Sequence, residues 1–118
     1  MTVWKASFPT MNEAVQNEAK LLGALGLCVR AGKVIFGTPM ICDAMRRGKQ
    51  KPVLVLEAGD TSENTHKRLT DKCKFYGVRH VRMECDGERL AAAVGKTGAL
   101  AAVAITDPQM SRMAEAYI

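Results

Sequence analysis

Proline, glycine and capping residues cut this chain into nine short segments whose apolar period switches between helix-like and strand-like. Thr10-Met-Asn-Glu13 has the form of a capping box: the Thr10 hydroxyl takes the Glu13 N–H, and Glu13 reaches back. Val15, Ala19, Leu22, Leu25 and Val29 then recur at helical spacing, predicting a helix over 11–31 closed by Gly32. Val34-Ile35-Phe36 reads as a short strand. Thr38-Pro39 reads as a helix start, with Thr38 as N-cap and Pro39 where a missing N–H costs nothing. Met40, Ile41, Ala44 and Met45 give that helix its apolar stripe, and Gly48 stops it. Pro52–Leu56 is a continuous apolar run, hence a strand buried on both faces.

Asp60-Thr-Ser62 caps a third helix with Leu69, Cys73 and Tyr76 on one face, ended by Gly77. Val78–Met83 reads as a strand. Asp86 or Gly87 opens a short alanine-rich helix that Gly95 stops. Leu100–Thr106 reads as a buried strand, and Asp107-Pro108 starts a last helix. The resulting order, αβαβαβαβα with short connections, requires a sheet covered by helices on both faces. The 118 residues suffice for one such domain over 11–118 and not for two cores. Residues 1–10 precede the periodic pattern and are expected to form a flexible arm.

Charge is distributed unevenly along this scheme. The net charge is +5, yet Arg30–Lys51 and Lys67–Arg82 each carry +5 while the segments around them are neutral or acidic. Two basic stretches brought together by the fold would make a positive face suited to a polyanion. No apolar run approaches the ~20 residues of a membrane span, and the N-terminal residues lack the apolar stretch of a signal peptide. A cytoplasmic protein is expected.

Catalytic signatures fail on their spacing. Gly95-Lys-Thr97 ends like a phosphate-binding P-loop, but Leu90 stands where the first glycine belongs and a helix precedes the loop. No GxGxxG is present. His66 and His80 are read as separate surface histidines, with no nucleophile at a suitable turn. Cys73, His80 and Cys85 match no metal-ligand spacing, and the four cysteines read as buried, reduced thiols. No cofactor and no metal are expected. The remaining chemistry is anion binding. Lys33, Gly37 and the start of the Thr38 helix, with the N–H groups of Met40 and Ile41, form one set. Lys96 and Thr97, between Gly95 and Gly98, form the other.

The motif order resembles a known family. Leu21-Leu-Gly23, Arg30-Ala-Gly-Lys-Val34, Gly37, Ala44-Met-Arg-Arg-Gly48 and Val53-Leu-Val-Leu56 carry the first half of the resemblance. Asp60 to Thr65, Leu69-Thr-Asp-Lys-Cys73, Tyr76-Gly-Val78, Gly95-Lys96 and Ala102–Asp107 carry the second. Together they are similar to the kink-turn-binding ribosomal proteins (the L-seven-Ae group), in its bacterial YlxQ-type branch. The resemblance implies a three-layer α-β-α sandwich with a mixed four-stranded sheet. It also implies a non-catalytic RNA-binding protein associated with the ribosome or translation machinery. It places the RNA contacts in two elements, here Phe36–Asp43 and Gly95–Ala99. Pro39-Met40 stand where the family's strong binders have Asn-Glu, which read the edges of tandem G·A pairs. Each lost base contact is worth roughly 1–3 kcal/mol, so weakened kink-turn preference is expected.

The RNA-contacting residues expected on this basis are Lys33, Gly37, Thr38, Pro39, Met40, Lys96, Thr97 and Gly98, with Arg30, Arg46 and Arg47 adding electrostatic attraction. The partner is structured RNA, and the protein is expected to act as a monomer without a small-molecule substrate. The rival is a protein-interaction module on the same fold, with Phe36, Pro39 and Met40 as an apolar recognition patch.

Overall fold

The computed structural model describes residues 11–118; the expected arm over residues 1–10 and the Thr10 half of the capping box lie outside them. All nine expected elements are present in the expected order. They are α1 (Met11–Arg30), β1 (Val34–Phe36), α2 (Thr38–Arg47), β2 (Leu54–Glu57), α3 (Glu63–Tyr76), β3 (Arg79–Arg82), α4 (Gly87–Ala93), β4 (Ala102–Ile105) and α5 (Pro108–Glu115). The strands lie in the order β1-β4-β2-β3. β4 runs antiparallel to β1 and β2, whereas β2 and β3 are parallel, so the sheet is mixed.

Side-chain alternation along the strands divides the core into two layers. Leu54, Leu56, Val103 and Ile105 pack with Leu21, Leu25 and Cys28 of α1, Leu90 of α4 and Ala114 of α5. Val55, Ala102 and Ala104 point to the opposite side, against Ile41 and Met45 of α2 and Leu69 and Cys73 of α3. This is the expected three-layer sandwich, with α1, α4 and α5 on one face and α2 and α3 on the other. β2 and β4 are fully buried because both their faces are covered and both their edges paired. β3 is an edge strand, and Arg79 and Arg82 are exposed on it.

Local chemistry differs from the sequence reading at two points. Gly37, not Thr38, is the N-cap of α2, so Thr38 is the first helical residue and its side chain caps nothing. β2 is displaced toward the C-terminus and ends on Glu57, which is fully buried. Cys73 and Cys85 lie in different core layers, on opposite sides of the sheet, so they do not converge with His80. All four cysteines are buried and free. The other caps hold: Ser62, Asp86 and Asp107 accept the N–H groups of Thr65, Arg89 and Gln109.

Candidate functional site

The chain leaves β1 and enters α2 through Gly37, whose φ of 87° and ψ of 146° lie in a region essentially reserved for glycine. The Gly37 N–H donates to the Ala102 carbonyl at 2.9 Å, which pins this corner to the start of β4. The segment preceding β4 is held in turn by the Leu100 N–H donating to Gly87 O at 3.0 Å, and the Gly87 N–H donates to Asp60 Oδ1 at 2.9 Å. Two loops sixty residues apart in sequence therefore meet at one end of the sheet. Lys96 Nζ stands 4.6 Å from the centroid of the Phe36 ring, a cation–π contact that joins them.

The first turn of α3 completes a groove. Gly37, Thr38 and Pro39 form one wall, Ala99, Leu100 and Ala101 another, and Asn64, Thr65 and Arg68 the third. Thr38 is 7% exposed, and its Oγ1 has no hydrogen-bond partner among the described residues. An unpaired buried hydroxyl costs about 1–3 kcal/mol, so a ligand group that bonds to it recovers that cost.

The structure separates the sequence-predicted residues into two groups. Gly37, Thr38 and Pro39 line the groove; Lys96, Thr97 and Gly98 are exposed on the loop beside it, and Met40 is 59% exposed next to Pro39. Arg30 borders a hollow with Ala92–Gly95, adjoining that loop. Lys33 is at the other end of β1, its carbonyl accepting the Thr106 N–H, roughly 13 Å along the strand from Gly37. Arg46 and Arg47 are in the last turn of α2, about 12 Å along the helix from its start. Both pair with Asp43, at 2.7 and 3.0 Å, which offsets part of their charge. The Ile41 N–H donates to Gly37 O and belongs to the helix, so it is not an open anion donor. Asn64, Thr65 and Arg68 escaped the sequence reading, because only packing brings α3 beside loops so distant in sequence.

The chain has relatives among known proteins. Residues 19–115 match the Ribosomal protein L7Ae/L30e/S12e/Gadd45 family. The chain belongs to that family. Among curated relatives, RNA-binding protein YlxQ of Bacillus subtilis (strain 168) is 40% identical over 83 residues, covering 70% of this chain and 79% of its own. RNA-binding protein YlxQ of Enterococcus faecium is 37% identical over 86 residues, covering 73% of this chain and 79% of its own. A solved structure from Bacillus halodurans C, described as a protein with unknown function, has a TM-score of 0.75 at 29% identity and covers 84% of this chain and 96% of its own. The Giardia lamblia 15.5kD RNA binding protein shares the fold, with a TM-score of 0.71 at 17% identity, covering 86% of this chain and 84% of its own.

This L7Ae-family domain holds a second polar cluster, behind α3. Glu57 and His80 occupy the same sheet face on the paired strands β2 and β3, and His66 reaches them from α3. His80 Nε2 donates to Glu57 Oε1 at 2.6 Å and His66 Nδ1 donates to it at 2.8 Å. The Thr61 hydroxyl donates to Oε2 of Glu57, and Arg82 Nε lies 3.7 Å from the same oxygen. Burial pushes the Glu57 pKa up, but the hydrogen bonds from Thr61, His66 and His80 outweigh it and hold the carboxyl below its ordinary range. The two histidines are therefore not separate surface side chains. Their pairing goes through a glutamate that the sequence places at the end of an apolar run.

Proposed function

We propose that this L7Ae-family member is a non-catalytic RNA-binding protein that holds structured RNA in the groove between the starts of α2 and α3 and the 95–101 loop. The convergence of those three elements carries this reading: a glycine corner, an orphaned Thr38 hydroxyl and Arg68 line one groove, and Lys96 stands on the loop beside it. The YlxQ relatives, named as RNA-binding proteins, support it. Arg68 and Lys96 meet phosphates, Gly37 allows close approach of a backbone, and Thr38 bonds to a ribose or base. Thr97 and Gly98 adapt the loop to the RNA, while Pro39 and Met40 give apolar contact. Arg30, Lys33, Arg46 and Arg47 act at longer range, through attraction alone. The RNA is kink-turn-like in shape, and the protein works as a monomer beside the translation machinery of the cytoplasm.

The test is a titration of two labelled RNAs, a kink-turn and the same helix with its G·A pairs replaced, at two salt concentrations. Binding to both is expected, falling steeply with salt. Lys96→Gln should weaken both alike and flatten the slope of log K against log salt by about 1. Absence of binding to either RNA at low salt would replace this reading with a protein-docking face centred on Pro39 and the exposed Met40.

A further inference from the structure

We propose that Glu57, His66 and His80 form a divalent transition-metal site of the zinc class. One nitrogen of each histidine and a Glu57 carboxylate oxygen all lie within 4.8 Å of one another, and the nitrogens facing Glu57 are Nδ1 of His66 and Nε2 of His80. Two imidazoles and one carboxylate are a donor set that suits zinc and its first-row neighbours. Around a tetrahedral zinc the ligand atoms stand about 3.4 Å apart, given metal–ligand distances near 2.1 Å. The present N···O distances of 2.6 and 2.8 Å are shorter than that, so admitting the metal needs the side chains to move on the order of 1 Å.

The surroundings already do what the outer partners of a metal site do. The Glu57 side chain is 0% exposed, fixed at the end of a fully buried strand. The Thr61 hydroxyl holds its second oxygen, which leaves Oε1 facing the two ring nitrogens. His80 is 14% exposed and set by its strand; His66 is 39% exposed and has room to turn. The two N–H groups now directed at Glu57 are the protons a metal would displace. His66 also opens onto a hollow with Thr61, Asn64 and Lys67, so a metal held by three protein ligands keeps its fourth position toward solvent for water. Arg82 is the one cation within 4 Å of this carboxylate among the described residues. Its side chain is 42% exposed and its Nη2 donates to Thr61, so it can swing outward.

This hollow meets the RNA groove only at Asn64, which lines both, and the proposal does not depend on RNA binding. The experiment is calorimetric titration of zinc into the untagged, metal-free full chain, with cobalt as a spectroscopic probe. One zinc per chain is expected, with a rise in the melting temperature. His66→Gln and His80→Gln should each weaken zinc binding by more than about tenfold and abolish the rise. Glutamine keeps a donor toward Glu57, and circular dichroism checks that each variant folds. Arg82→Gln should tighten binding by removing a competing cation. The cobalt spectrum should show weak visible bands from nitrogen and oxygen ligands. Zinc heat absent or non-stoichiometric, affinity unchanged in both histidine variants, or a thiolate-to-cobalt charge-transfer band would each overturn the assignment.

Discussion

Replacing Gly37 by alanine tests the geometry on which the groove depends. At φ 87° and ψ 146° a β-carbon meets its own backbone, although the nearest outside atom, Pro39 Cδ, is 3.9 Å away. The cost is therefore conformational rather than a clash with neighbours, about 1–3 kcal/mol. Unfolding entropy of about 2.1 cal/mol/K per residue gives a domain this size roughly 0.25 kcal/mol per degree, so the melting temperature should fall by about 4–12 °C. A comparison at Gly77 isolates the cause. Gly77 ends α3 with φ 68° and ψ 36°, the left-handed helical region that asparagine tolerates. Gly77→Asn should thus cost less than Gly77→Ala, whereas Gly37→Asn should be no better than Gly37→Ala, because ψ at that corner is extended. If Gly37→Ala relieves its strain by turning the peptide, it loses the hydrogen bond to Ala102 and the Phe36–Lys96 contact, and RNA affinity falls as well. The assays are thermal melts of all four variants and one RNA titration. A Gly37→Ala melting temperature within about 2 °C of the parent, or rescue by asparagine at 37 equal to that at 77, would refute the reasoning.

Leu56→Ala removes a fully buried side chain from the layer between the sheet and α1 and should cost about 2–5 kcal/mol, whereas Met40→Ala at a 59% exposed position should leave the melting temperature nearly unchanged. The Cys73 and Cys85 thiols are both buried and pushed up to about 11, mainly by desolvation. A disulfide-exchange reagent at pH 7 should therefore modify them only after denaturation, and fast labelling of either in the native protein would contradict the burial. Pro39→Asn with Met40→Glu should restore preference for a kink-turn over the same helix without G·A pairs, by roughly 1–3 kcal/mol per recovered base contact; equal discrimination by the parent chain would show that position 39 does not read the RNA.

Element type and order were legible in the sequence because they rest on local physics. Apolar period separates α1 from β2, and Ser62, Asp86 and Asp107 cap the helices they precede without help from the rest of the chain. The resemblance pointed to Phe36–Asp43 and Gly95–Ala99; of these, Gly37, Thr38, Pro39 and Ala99 line the groove, and Lys96, Thr97 and Gly98 are exposed beside it. Tertiary structure decided what depends on neighbours distant in sequence. The strand order β1-β4-β2-β3 puts Gly37 against Ala102 and sends Lys33 to the far end of the sheet. Packing of α3 across β2 and β3 brings Arg68 into the groove and His66 onto Glu57. No periodicity can signal such a meeting, because Glu57 looks like the polar end of a strand, and each histidine looks solitary until the parallel pairing of β2 and β3 sets Val55 beside His80 and Glu57 beside Arg82. A local pattern records which face a side chain takes on its own element. Only the fold records which other faces it meets, and a buried carboxylate between two imidazoles is stable only where all three arrive together.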